Sequence, residues 1–176
     1  MGVSNLYSLP YLGMKDGLHK YQFYAGNHFF SAFEHSPIEQ GEFEIHVEVD
    51  KRGNLSEFVF HITGKAKAIC DRCLADIKLP VSGNYVLHGR LSAEDVEDEE
   101  IITIKPDQSH IDLSQHIYEM ICISMPLTNV YYCENEIPKV CDEAVLSKLA
   151  PESGPKDEEV QDSNVWQNLK GLIEDN

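Results

Sequence analysis

The residues of this chain best suited to chemistry are Cys70 and Cys73, in the stretch Cys70-Asp71-Arg72-Cys73-Leu74. Two thiols with two residues between them can grip one metal ion, cycle between dithiol and disulfide, or pack as small apolar groups. A structural zinc centre needs four soft or borderline ligands in a tetrahedron, and this spacing supplies the usual half. The candidates for the other half are Cys133 and Cys141, which stand seven residues apart rather than two. None of the eight histidines forms a paired spacing with a cysteine. The expected metal set is therefore Cys70, Cys73, Cys133 and Cys141, with zinc as the ion, and the open alternative is a group of thiols packed at a tight turn. A redox pair of the thioredoxin kind sits at a helix N-terminus, where the helix dipole lowers the thiol pKa. Here the residues after Cys73 alternate like a strand, so redox catalysis is not expected. Cys122 falls beside an apolar helical stripe and reads as a small core residue.

Other catalytic patterns are missing. The chain has no H-E-x-x-H, no G-x-S-x-G and no phosphate-cradling glycine loop. Its carboxylates are concentrated in two blocks, at residues 94–100 and between Glu152 and Asp162. The first lacks the spaced oxygens and glycine of a calcium loop and reads as a flexible acidic loop. His46 and His61 fall at polar-face positions of neighbouring strands and read as surface residues.

The elements that must position the cysteines are mostly strands. Leu18 to Ala25 is an aromatic-rich strand, and His28 to Glu34 a short helical turn. Glu42 to Val49 alternates cleanly, with Phe43, Ile45, Val47 and Val49 on one side. A turn at 50–54 leads into Leu55 to Thr63, and the chain stays extended through Ile69 to the cysteine pair. Ala75 to Leu87 resumes the alternation, so Cys70 and Cys73 occupy a hairpin tip. After the acidic loop, Ile101 to Lys105 is a short strand. Asp112 or Ser114 then caps a helix with Leu113, Ile117, Met120 and Ile121 as its apolar stripe, and Met125-Pro126 ends it. Cys141 opens a short helix running to Leu149. Residues 151–161 are polar and acidic, a linker. Ser163 caps a last helix carrying Val165, Trp166, Leu169, Leu172 and Ile173. This amphipathic stripe either docks back on the domain or grips a partner's groove. The expected organisation is one α+β domain over 1–150, with helices packed on an antiparallel sheet built from about residues 18 to 105. A linker over 151–161 and a tethered C-terminal helix over 162–176 follow.

The 176 residues carry a formal net charge of −16 with 42% hydrophobic residues, enough for a core without staples. Apolar runs are too short for a membrane-crossing helix, and residues 1–6 have no signal-peptide character. Five cysteines without an export signal point to reduced thiols in the cytoplasm. A strongly acidic chain is a poor stand-alone nucleic-acid or membrane binder, because phosphate neutralisation drives that affinity. The exception is local. Lys65, Lys67, Arg72 and Lys78 surround the cysteine pair, with only Asp71 and Asp76 against them.

Three segments in order carry a resemblance. Cys70-Asp71-Arg72-Cys73-Leu74 matches a C-x-R-C-L motif. Asp112-Leu113-Ser114, running through Glu119 to Met125-Pro126, resembles a D-L-[ST] helix ending in proline. Asp162 to Leu169, with Trp166, looks like a closing D-P-R-[WL]-x-x-L tail. The chain resembles the YceD-like family, the large ribosomal RNA subunit accumulation proteins, over roughly residues 40 to 173. It departs where many members have a second C-x-x-C, and in the tail at Ser163 and Asn164. The resemblance implies a non-enzymatic cytoplasmic bacterial protein that supports synthesis, processing or stability of large-subunit ribosomal RNA. Its partner would be that RNA, a pre-ribosomal particle or an assembly protein, with no membrane and no small-molecule substrate. The residues expected to meet the partner are Lys65, Lys67, Arg72, Lys78 and Trp166. The alternative is an adaptor that docks a protein through the Trp166 helix without touching RNA.

Overall fold

The computed structural model describes residues 6–94, 101–130 and 137–149. The elements in order are β1 (Ser8–Pro10), β2 (Gly17–Ala25), α1 (Asn27–Phe30), β3 (Gly41–Arg52), β4 (Leu55–Ile69), β5 (Asp76–Leu91), β6 (Ile101–Ile104), β7 (His110–Asp112), α2 (Ser114–Ser124) and α3 (Glu143–Leu149). The chain divides into two units, Met1–Asp142 and Glu143–Asn176, and α3 is the described part of the second. The α+β class read from the alternating and helical patterns holds.

A five-stranded sheet in the order β2-β3-β4-β5-β6 dominates the first unit. Its pleat sorts the residues. Phe43, Ile45, Val47 and Val49 of β3, Phe58, Phe60 and Ile62 of β4, and Ile77, Leu79 and Val81 of β5 all point to the buried face. Helix α2 closes part of that face with Ile117, Met120 and Ile121, and α1 contributes Phe29 and Phe30. The Phe33 ring stacks on Tyr118 of α2, with centroids 3.9 Å apart. The opposite face is open to solvent and carries the polar partners of the alternation.

Three features differ from the sequence pattern. Strand β5 runs on to Leu91, four residues past the end expected at Leu87, while β4 is extended from Leu55 through Ile69 as expected. Strand β6 joins parallel, pairing His88 with Ile101 and Leu91 with Ile104, so the sheet is mixed at this edge. A four-residue strand is too short to reveal its direction. A second sheet of two strands, β1 and β7, pairs Leu9 with Ile111. It escaped the pattern because three residues cannot show a period. Tyr11, which follows β1, is fixed inside by a 2.6 Å hydrogen bond between its hydroxyl and that of Ser56.

Pro80 fits this topology. Over Asp76–Leu87, β5 has β4 as its only ladder partner among the described residues, since β6 covers His88–Leu91. A residue without an N–H belongs in such a one-sided stretch.

The register of β3 on β4 is locked at Phe43, which lies directly opposite Gly64. A Cβ on Gly64 would come within 2.5 Å of the Phe43 ring and 2.8 Å of its Cα, and would also strike the Glu42 carbonyl oxygen. Gly64→Ala is therefore expected to lower stability by about 1–3 kcal/mol, the usual cost of overpacking. Urea denaturation checks this, and an unchanged midpoint would refute it. On α2, the His116 Nδ1 is buried without a hydrogen-bond partner, and burial pushes its pKa down despite the nearby Glu119 and Asp112. A histidine with a depressed folded pKa favours the unfolded chain as it protonates, so stability is lost as pH falls below the ordinary histidine value. His116→Leu should flatten that decline in denaturation midpoints measured across mildly acidic pH.

Candidate functional site

Strands β4 and β5 run past the end of the core and meet at residues 70–75. The turn there is closed by two backbone bonds: Cys70 N–H to the Ala75 carbonyl and Leu74 N–H to the Cys70 carbonyl, both 2.9 Å. Leu74 takes φ 60°, the left-handed value that lets the turn reverse so tightly. Both cysteines are free thiols and buried, Cys73 completely. The backbone N–H groups of Ala75 and Asp142 point at the Cys73 sulfur and hold its pKa below the usual thiol value, with help from Cys70 and the Arg72 charge. Asp71 ties the same turn to the chain after α2. Its Oδ2 accepts the Asn129 N–H at 2.7 Å, and its own N–H donates to the Asn129 carbonyl at 3.2 Å. Asn129 and Asp142, distant in sequence, thus converge on the knuckle.

A zinc ion would need both half-sites as thiolates. Cys141 is disulfide-bonded, and Cys133 lies outside the described residues. Among the described residues, no group of three or more His, Cys, Asp and Glu is placed to hold a metal. Among the described residues, Cys70 and Cys73 stand as one half-site, and the expected set of four extends to Cys133, outside those residues. The knuckle's chemistry in this structure is that of two buried thiols that shape a turn.

The basic residues are brought together more completely. Lys65 and Lys67 are two apart on β4, so they share its solvent face. Lys78 on β5 stands directly opposite Lys67. All three line one open cavity of about 480 Å³, with Asn27, Gln40 and Glu42 on its rim. Like charges directly opposed across a ladder destabilise it. Asp76 relieves this weakly, at 3.8 Å from Lys67 with both side chains exposed. Arg72 is exposed on the knuckle at the same end of the hairpin. The far end of the open face carries Glu48, Asp50 and Glu57 together with Lys20, Arg52 and Arg90, and Lys20 and Arg52 pair with Glu48 and Asp50.

Between these ends, His46 faces His61 across the β3–β4 ladder. His61 bonds Asn84 at 2.7 Å and His46 bonds Glu44 at 3.1 Å. They are exposed surface residues, as their polar-face positions imply. Cys122 is half-buried against the core. Trp166 lies outside the described residues. The sequence did not mark Gln40 or Asn129, whose roles are made by backbone bonds: the Gln40 carbonyl accepts the Lys67 N–H at 2.8 Å. Main-chain bonds of this kind leave no residue-type signal.

The Asp71–Asn129 tie can be cut by itself. Asp71→Ala removes one charge-assisted bond at an exposed position, so a loss of about 0.5–1.5 kcal/mol is expected. Faster hydrogen exchange at the Asn129 amide, with β3 amides unchanged, is the local signature.

Comparison with known proteins places the chain in a family. Residues 58–173 fit the family model described as Large ribosomal RNA subunit accumulation protein YceD. No curated protein and no solved structure matches the chain.

Proposed function

The chain belongs to the YceD family of large ribosomal RNA subunit accumulation proteins, and from that premise we propose that it supports large-subunit ribosomal RNA by binding it at the lysine-lined end of the open sheet face. The observation that carries this reading is the direct opposition of Lys67 and Lys78, with Lys65 beside them, in a chain of net charge −16. A fold gains nothing from opposed lysines; an anion bridging them turns the repulsion into attraction. Arg72 adds a planar donor suited to phosphate at the knuckle. The acidic remainder of the surface repels nucleic acid elsewhere and limits nonspecific attachment. The role is that of a binding protein acting in the cytoplasm, without a chemical step of its own. No described helix is long and apolar enough to cross a membrane.

A second reading is favoured by the same net charge: a protein partner docked through the Trp166 segment, without RNA contact. In-cell crosslinking separates the two, yielding ribosomal RNA fragments in one case and a protein in the other.

The test reverses the patch. Lys65→Glu, Lys67→Glu and Lys78→Glu together are exposed changes that leave the core untouched. Cells carrying this variant should accumulate less large-subunit ribosomal RNA, and the variant should no longer co-sediment with pre-large-subunit particles. Normal RNA levels and normal co-sedimentation, with the variant folded, would overturn the proposal.

A further inference from the structure

An open groove of about 700 Å³ lies at the end of the sheet, between the chain before β3, the end of β4 and the segment after α2. Polar and apolar groups share its lining almost equally and no aromatic ring enters it, so it marks no ligand. The open sheet face is more selective. Among the described residues, Tyr24 is the only phenylalanine, tyrosine or tryptophan left exposed, at 61%. It stands outward on β2, while Phe23 and Ala25 on either side turn toward the core. In the ladder Tyr24 pairs with Glu44 and Glu44 with Thr63, and Lys65 is the next outward residue of β4. Strand spacing and rise put Tyr24 and Lys65 about 12 Å apart. The ring leans toward the lysine end, because its Cε1 lies 3.3 Å from where a Cβ on Gly26 would stand. Asn27, one residue further on, lines the lysine cavity. The backbone beneath the ring is pinned, since the Tyr7 hydroxyl donates to the Tyr24 carbonyl at 2.8 Å. Glu44, the carboxylate beside the ring, is engaged by Gln22 at 2.5 Å and His46 at 3.1 Å. The face therefore holds a fixed ring and, a short step away, three ammonium groups. Rings stack on unpaired bases, and ammonium groups hold phosphates.

We propose that Tyr24 is a stacking platform for a base of single-stranded RNA whose neighbouring phosphates lie at Lys65, Lys67 and Lys78. The proposal rests on the RNA-binding reading above and adds to it a contact residue and a preference for single strands. A duplex keeps its bases stacked on one another, so it meets the lysines but not the ring. Every base has a π-face, so the platform sets no sequence. Salt dependence counts the phosphates that are neutralised. The lysines therefore carry it, and the ring adds affinity without it.

The test is fluorescence anisotropy of the full chain across a salt series, with oligouridylate, with an RNA duplex of equal length and with inorganic polyphosphate. Tyr24→Thr removes the ring and keeps a strand-favouring residue at an exposed position. It should weaken oligouridylate binding by roughly tenfold and leave the slope of log affinity on log salt unchanged. Binding of the duplex and of polyphosphate should not move. Tyr24→Trp should bind oligouridylate at least as tightly as the unaltered chain. Unchanged oligouridylate binding by Tyr24→Thr, or an equal loss for all three probes, overturns the platform. If oligouridylate binding is nonetheless lost on reversing the three lysines, the RNA reading stands without the platform. If none of the probes binds, both fall.

Discussion

The two-residue period of β4 and β5 is the constraint on which the rest of this structure depends. Inward positions of these strands build the core through Phe58, Phe60, Ile62, Ile77 and Leu79. Outward positions of the same strands carry Lys65, Lys67 and Lys78. A slip of one residue would bury the lysines and expose the core, a cost far beyond anything the surface could recover. The hydrophobic pattern therefore fixes the charged face as firmly as it fixes the interior. Phe43 seated over Gly64 guards that register from β3. It lies one residue along the ladder from the Glu42–Lys65 pair, so the packing that sets the sheet also sets the edge of the basic patch.

The knuckle extends this order beyond the core. The Cys70–Ala75 and Leu74–Cys70 bonds close the turn, and Asp71 and Cys73 then receive the chain returning from α2. Without that return, the segment 125–130 would have no anchor, and the groove at the end of the sheet would have one wall. The thiols matter here as small buried groups with directed backbone donors. The N–H groups aimed at Cys73 favour a charged sulfur, and Arg72 beside it favours the same.

Much of this was legible in the residues. Strict alternation over Glu42–Val49 and the i, i+4, i+7, i+8 stripe on α2 left one reading each, and both positions and faces agree with the structure. Grouping Lys65, Lys67, Arg72 and Lys78 by proximity in sequence worked because a hairpin is the simplest way for sequence neighbours to remain spatial neighbours. What sequence could not show is made by backbone or by distance. The β1–β7 pair joins segments a hundred residues apart through three residues each. The parallel entry of β6 depends on the path of the loop before it. The groove arises from prolines, carbonyls and the ends of three elements, none of which has a period. The reading of the cysteines as a fourfold ligand set was limited for the same reason: the spacing between Cys133 and Cys141 does not specify how that segment folds.

An acidic protein that binds RNA faces a particular energetic problem, because a few local cations must attract phosphate against a chain charge of −16. Attraction from a few cations is salt-dependent. For single strands the logarithm of affinity falls by about 0.7 per phosphate contact for each unit in log salt concentration, so four cations give a slope of only about −3. Such a patch steers and orients, but at physiological screening lengths of about 8 Å it is felt only nearby. Affinity from charge alone would therefore be weak and unspecific in sequence.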